Sequence, residues 1–166
     1  FGWNRVFVQP EMTLDGMTVS SSRIRKCLIE KDLEEANQML TVPYFILGTV
    51  KEGKKLGRTI GFPTVNIEAH PLKLFPPNGV YATKTLYKGK YYYGVTNIGK
   101  NPTVNGTVKI VETFLLDFNE MIYGEQLQTF FYKFLLIEYY IFMRRNTHIF
   151  NNNLNSRLSS HAIHVM

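Results

Sequence analysis

Between Gly79 and Ile98 the chain reads "GVYATKTLYKGKYYYGVTNI". Two runs rich in Val, Tyr and Thr flank "YKGK" (Tyr87–Lys90). Such residues suit a pleated, half-buried surface, and the glycine between them suits a tight turn. The same texture extends in both directions. "YFILGTVK" (Tyr44–Lys51), "TVNI" (Thr64–Ile67), "VKIVETFLLDF" (Val108–Phe118) and "LQTFFYKFLL" (Leu127–Leu136) alternate with the turn signals "PPNG", "GKNPTVNG" and "NEMIYGE". Six strands at this spacing, without crossover helices, predict a mainly β fold: an antiparallel barrel or sandwich.

Residues 12–40 read as helical instead. In "SSSRIRKCLIEK", serine N-caps precede Ile24, Cys27 and Leu28 at i, i+3 and i+4. "DLEEANQML" restarts the pattern, with Asp32 and Glu35 spaced as a capping box and Leu33, Ala36 and Leu40 on one face. Pro43 ends this part. After Leu135 the texture changes again, to an asparagine run and a histidine-rich tail without a sustained helical stripe.

Bulk properties narrow the functional classes. A length of 166 residues with 45% hydrophobic content fits one domain, or one domain plus a fragment. The apolar runs are too short or too interrupted to span a bilayer, and no secretory pattern opens the chain. A soluble, cytoplasmic protein with no membrane partner is expected. The lone Cys27 excludes an internal disulfide framework and reads as a buried structural thiol. Three of the four histidines fall in the tail, which leaves His70 a poor basis for zinc or triad chemistry. A net charge of +6 permits anionic partners without choosing among nucleotides, nucleic acid and membrane surfaces.

Four stretches can carry chemistry. In Gly57-Arg58-Thr59-Ile60-Gly61-Phe62-Pro63-Thr64-Val65-Asn66, glycines allow backbone amides to approach an anion. Beyond Pro63, Thr64 and Asn66 share one strand face, so two neutral oxygens can help hold Mg²⁺. A basic surface hairpin whose Thr and Asn satisfy local backbone is the plainer alternative. Glu112 sits in an apolar strand, where a carboxylate needs a partner or a task such as proton abstraction. "TVSSSRIRKCL" can form an anion site at a helix start, although ordinary capping fits its spacing better. In "NIGKNPTVNG", Asn97, Gly99 and Gly106 read as turn residues, and "KYYYG" reads as a strand covered on both faces rather than a stacking platform.

Taken in order, "KLGRTIGFPTVNI", "GVYAT", "YYGVTNIGKNPTVNG", "VETFLLDF", "YGEQL" and "FFYKFL" closely resemble the riboflavin kinase module of bacterial bifunctional riboflavin kinase/FMN adenylyltransferases. "VSSSRIRKCLIEKDLEEANQMLTVPYFILGTV" is similar to the segment that closes the adenylyltransferase module of the same family. The resemblance covers about residues 15–135. It implies a six-stranded Greek-key barrel over 44–135, preceded by the adenylyltransferase remnant and linking helices in 1–43, with an atypical tail in 136–166. It implies ATP-dependent phosphorylation of riboflavin to FMN, with Mg²⁺ as the companion of ATP. Thr64 and Asn66 match the metal-binding pair, Gly57, Arg58 and Gly61 the loop over the ATP phosphates, and Glu112 the catalytic base. Ser20, Ser21 and Arg25 match an adenylyltransferase fragment whose remaining module would precede residue 1, so adenylyl transfer is not expected of this chain.

Two positions depart from the family pattern. Phe114 stands where a histidine is usual, and Leu136 where an arginine precedes a flavin-covering helix. The implied partners are ATP, riboflavin and FMN, with no nucleic acid and no particular oligomeric state. The rival is a non-catalytic basic β-barrel that binds single-stranded nucleic acid through exposed aromatics.

Overall fold

The computed structural model describes residues 7–52, 64–103 and 106–136. In chain order its elements are β1 (Thr13–Leu14), β2 (Met17–Thr18), α1 (Ser21–Glu30), α2 (Leu33–Gln38), β3 (Phe45–Lys51), β4 (Thr64–Ala69), β5 (Gly79–Tyr87), β6 (Lys90–Thr103), β7 (Gly106–Leu115) and β8 (Gln126–Leu135). Strands β3 to β8 close into a six-stranded barrel in the order β3-β4-β7-β6-β5-β8. Every neighbouring pair is antiparallel. β5, β6 and β7 follow one another as hairpins and β8 returns beside β5, which is the Greek-key connection. The expected strands are thus all present, and the choice between barrel and sandwich falls to the barrel.

Two local expectations fail. Residues 13–18 are not helical: they form the β1–β2 hairpin, with Thr13 opposite Thr18. Asp15 (φ 52°) and Gly16 (φ 73°) both adopt the left-handed backbone that a two-residue hairpin turn requires, and Asp-Gly is a favoured pair for it. The second correction concerns Asn97, Gly99 and Gly106. None is a turn residue, because β6 runs through Asn97 and Gly99 to Thr103, and Gly106 opens β7. Asn and Gly are weak strand formers alone, but here a continuous ladder carries them.

Alternation along the strands separates an inner from an outer face. On β4, β7 and β6, Ile67, Val111 and Ile98 are buried in the main core and lie opposite one another. Two residues along, the next inward row is Val65, Thr113 and Thr96. Threonine recurs inside the barrel: Thr83, Thr85, Thr96, Thr113 and Thr129 are all fully buried. Their hydroxyls pair with one another, Thr83 with Thr96 at 2.9 Å, Thr96 with Thr113 at 2.9 Å and Thr85 with Thr129 at 3.0 Å. A hydroxyl both donates and accepts, so it can be satisfied without water. Close strand crossings are met by glycine, since a Cβ at Gly48 would strike the Glu68 carbonyl and one at Gly94 the Phe114 carbonyl.

The two helices pack on the barrel. Cys27, Leu28, Leu33 and Ala36 belong to the same buried cluster as Tyr44, Ile46, Tyr81 and Phe131, so the core is continuous across Pro43. Asn37 stitches the junction. Its Nδ2 donates to the Phe131 carbonyl at 2.8 Å, and its Oδ1 accepts from the Tyr44 amide at 2.8 Å. No helix among the described residues is long and apolar enough to cross a membrane.

The threonine ladder predicts a specific stability pattern. Thr96→Val removes the hydroxyl shared by Thr83 and Thr113 while keeping the side-chain shape, and should cost about 1–3 kcal/mol. Replacing all three threonines by valine should recover much of that loss, because no buried hydroxyl is then left alone. Urea unfolding of the single and triple variants would show this. A triple variant weaker than Thr96→Val by the sum of further losses would refute the ladder as the cause.

Candidate active site

The polar residues of interest lie on the outer face, one position from the inner rows. Because Ile67, Val111 and Ile98 point inward, Asn66, Glu112 and Asn97 point outward. Asn66 is directly opposite Glu112, and Glu112 directly opposite Asn97. Three adjacent strands therefore present an Asn-Glu-Asn row. Lys51 of β3 continues the row beyond Asn66 and pairs with Glu68 at 3.1 Å. Val80 of β5 continues it beyond Asn97, with Leu135 of β8 next.

Thr64 joins the row from two residues along β4. Its Oγ1 donates to Glu112 Oε1 at 2.6 Å, and the contact is partly buried. This gives the carboxylate a partner that is a neutral hydroxyl rather than a lysine. A hydroxyl that donates its proton keeps its lone pairs for another ligand. Thr64 Oγ1 and the Asn66 amide oxygen are thus a donor set suited to a hard, oxygen-seeking cation. The predicted sharing of one strand face by Thr64 and Asn66 agrees with the alternation. Gly57, Arg58 and Gly61 lie outside the described residues, in the segment joining β3 to β4.

An apolar patch adjoins this polar row. Val80, Val95 and Leu116 are buried on the outer side, with Tyr93, Phe114 and Leu135 packed against them. Phe114 lies directly opposite both Thr64 and Val95, so the patch begins one row from the carboxylate. The tyrosine run divides between faces. Tyr92 packs edge-on against Phe118 at 4.9 Å, whereas Tyr91 is 49% exposed with the Lys84 ammonium 4.4 Å from its ring. The expectation that both faces are covered is therefore only half met. The run still supplies one half-exposed ring where a stacking platform presents successive ones.

Residues 40–142 match the family model described as Flavokinase: Riboflavin kinase. The chain belongs to the riboflavin kinase family. It is 46% identical over 119 residues to a bifunctional riboflavin kinase/FMN adenylyltransferase of Haemophilus influenzae, covering 71% of this chain and 38% of that protein. The namesake of Listeria monocytogenes is 42% identical over 130 residues, covering 78% and 41%. The Bacillus subtilis one is 43% identical over 126 residues, covering 74% and 40%. The chain thus spans about two fifths of the length of these relatives. A solved structure described as a macrolide-efflux protein from Streptococcus pneumoniae superposes with a TM-score of 0.71 at 31% identity, covering 76% of this chain and 42% of that one.

Sequence reasoning missed Asn97 within this family barrel. The pairing of Asn97 with Glu112 is a property of the whole β6–β7 ladder and leaves no local signal. The turn-forming preference of Asn and Gly concealed it.

Ser20, Ser21 and Arg25 take no part in the row. Ser20 caps α1, its Oγ accepting from the Arg23 amide at 3.2 Å, while Ser21 and Arg25 are exposed. The neighbouring Arg23 is the engaged arginine. Its Nη2 pairs with Glu35 Oε1 at 2.5 Å, and its Nη1 donates to the Met17 carbonyl at 3.0 Å. One guanidinium therefore ties the β1–β2 hairpin to α2. Asp32 accepts from the Glu35 amide at 3.0 Å as a capping box requires, but the Glu35 side chain turns to Arg23 instead of back to Asp32.

This clamp sets a pH dependence. The hydrogen bond from Arg23, aided by one from Cys27, holds the Glu35 carboxyl below the ordinary value of 4.5. A depressed carboxyl stabilises the fold fully above its unfolded value, and that contribution is lost as pH falls through the lower folded value. Melting temperature should therefore drop below about pH 4.5 by a component that Glu35→Gln removes. Parallel pH profiles for the two proteins would show that the clamp does not contribute.

Proposed function

We propose that this chain is a riboflavin kinase, transferring the ATP γ-phosphoryl group to the riboflavin 5′-hydroxyl to give FMN and ADP. The observation that carries the proposal is the Thr64–Glu112 hydrogen bond of 2.6 Å within the Asn66-Glu112-Asn97 row. It provides a carboxylate with one oxygen engaged and no second partner among the described residues, beside neutral oxygens fit for a cation and an apolar patch fit for a planar ring. The family match and the names of the relatives supply the substrate class.

In this scheme Glu112 accepts the proton of the 5′-hydroxyl as that oxygen bonds to the γ-phosphorus and the bond to the β–γ bridging oxygen breaks. Hydrogen bonding from Thr64 to Oε1 fixes the carboxylate plane and leaves Oε2 for the incoming hydroxyl. Thr64 and Asn66 would hold Mg²⁺, which when bound offsets charge on the transferring phosphates. Gly57, Arg58 and Gly61 are proposed, on the resemblance, to cover those phosphates. The half-buried Phe114 and Leu135, packed over Val80 and Val95, would take the flavin's ring. Adenylyl transfer, the second activity in the relatives' names, is not proposed for this chain, whose Ser20 is committed to capping α1.

Incubation with riboflavin and MgATP, followed by chromatography for FMN and FAD, tests the proposal directly. FMN without FAD is the expected product pattern, and absence of FMN would overturn it. Glu112→Gln should keep the fold and lower turnover by roughly 10²–10⁴. Unchanged turnover would remove Glu112 from the chemistry. Asn66→Ala should weaken MgATP binding about 10–100-fold while sparing riboflavin. Equal losses for both ligands would mark Asn66 as structural.

A further inference from the structure

Glu112 has a polar neighbour on each side of its row. Asn66, with Thr64, serves the phosphate side. Asn97 stands on the opposite side, between Glu112 on β7 and Val80 on β5. It is half-buried. Two residues along its own strand and on the same face is Gly99. Among the described residues, a Cβ placed there would find Asn97 Nδ2 at 3.9 Å and no other atom within 4 Å. The amide therefore leans over a stretch of strand without side chains, between a reactive carboxylate and an apolar patch. Among the described residues no hydrogen bond occupies it. A primary amide offers two donors and an acceptor, the complement of a hydroxyl that both gives and takes.

Direction follows from the two flanks. With the phosphoryl group arriving on the Thr64–Asn66 side, the body of the acceptor must leave Glu112 the other way, towards Val80, Val95 and Leu135. That path crosses Asn97. Directly opposite strand residues have Cβ atoms about 4.5–5.5 Å apart, so an Asn beside the base reaches the carbon next to the one being phosphorylated. We propose that Asn97 contacts the substrate, its amide hydrogen-bonding the hydroxyl adjacent to the phosphorylated one in the flavin's polyol chain, and so selects flavins that carry this hydroxyl. The proposal rests on the kinase reading and adds a specificity residue to it.

The test pairs Asn97→Ala with 4′-deoxyriboflavin, which lacks the hydroxyl in question. For riboflavin, Asn97→Ala should lower kcat/KM about three- to tenfold, as expected for one neutral hydrogen bond, and leave the KM for MgATP unchanged. For 4′-deoxyriboflavin the two proteins should perform alike, because the contact is already gone. Asn97→Ser, which keeps a hydroxyl at shorter reach, should recover part of the discrimination. If both substrates fall by the same factor in Asn97→Ala, the residue is only structural and the proposal is overturned. The same four-way comparison by quenching of flavin fluorescence needs no turnover. If FMN formation were absent, the kinase reading would fail, while unequal binding of the two flavins by the wild type and equal binding by Asn97→Ala would still support the contact. Equal binding of both flavins by the wild type would overturn it.

Discussion

Register between β4, β7 and β6 is held from inside the barrel, and the placement of every outer residue depends on it. A slip of one residue in β7 would bring Glu112 into the core and push Val111 or Thr113 out. Two kinds of contact resist such a slip. Ile67, Val111 and Ile98 pack as one inward row, and Thr113 meets the Thr96 hydroxyl at 2.9 Å one row away. Hydrophobic packing alone tolerates exchange of similar side chains, whereas a buried hydroxyl tolerates only a position where another hydroxyl waits. The inner threonines thus act as register pins, and the outer Asn-Glu-Asn row is their consequence on the solvent side.

The same logic reaches the helical segment. Asn37 satisfies the Phe131 carbonyl and the Tyr44 amide at once, and Tyr44 in turn accepts from the Phe131 amide at 2.8 Å. β3 and β8 are the strands that close the barrel, so a side chain from α2 is hydrogen-bonded into the seam. Burial of Leu33 and Ala36 against the same core makes the helices part of the barrel's closure rather than an appendage.

Much of this was legible in the sequence because alternation survives in a two-faced strand. The six barrel strands follow from it, and so does the common face of Thr64 and Asn66. What was not legible has physical causes. Asp15-Gly16 is a strong turn signal, but the short β1–β2 ladder offers only two residues to each strand and so no period to detect. Asn97 and Gly99 were hidden by their own turn preference, which a ten-pair ladder between β6 and β7 overrides. Glu35 illustrates a third cause: its capping spacing is visible locally, whereas the arginine that draws its side chain away lies twelve residues earlier. Partners chosen by tertiary contact leave no local pattern.

Phe114 shows how a departure from the family pattern reshapes the site without dismantling it. The resemblance places a histidine two residues from Glu112, on the same face, where it would add a polar group beside the carboxylate. The phenyl ring instead joins Val80, Val95 and Leu116 and stands opposite Thr64. An apolar ring in that place makes the setting of the Thr64–Glu112 hydrogen bond less polar than an imidazole would. A hydrogen bond in a less polar setting is electrostatically stronger, and its rupture leaves a costlier orphan. Phe114 therefore makes the carboxylate more dependent on Thr64 for its orientation and extends the apolar patch towards Thr64. On the proposed reading, polar neighbours for a bound polyol come from the other flank of Glu112, where β6 supplies Asn97.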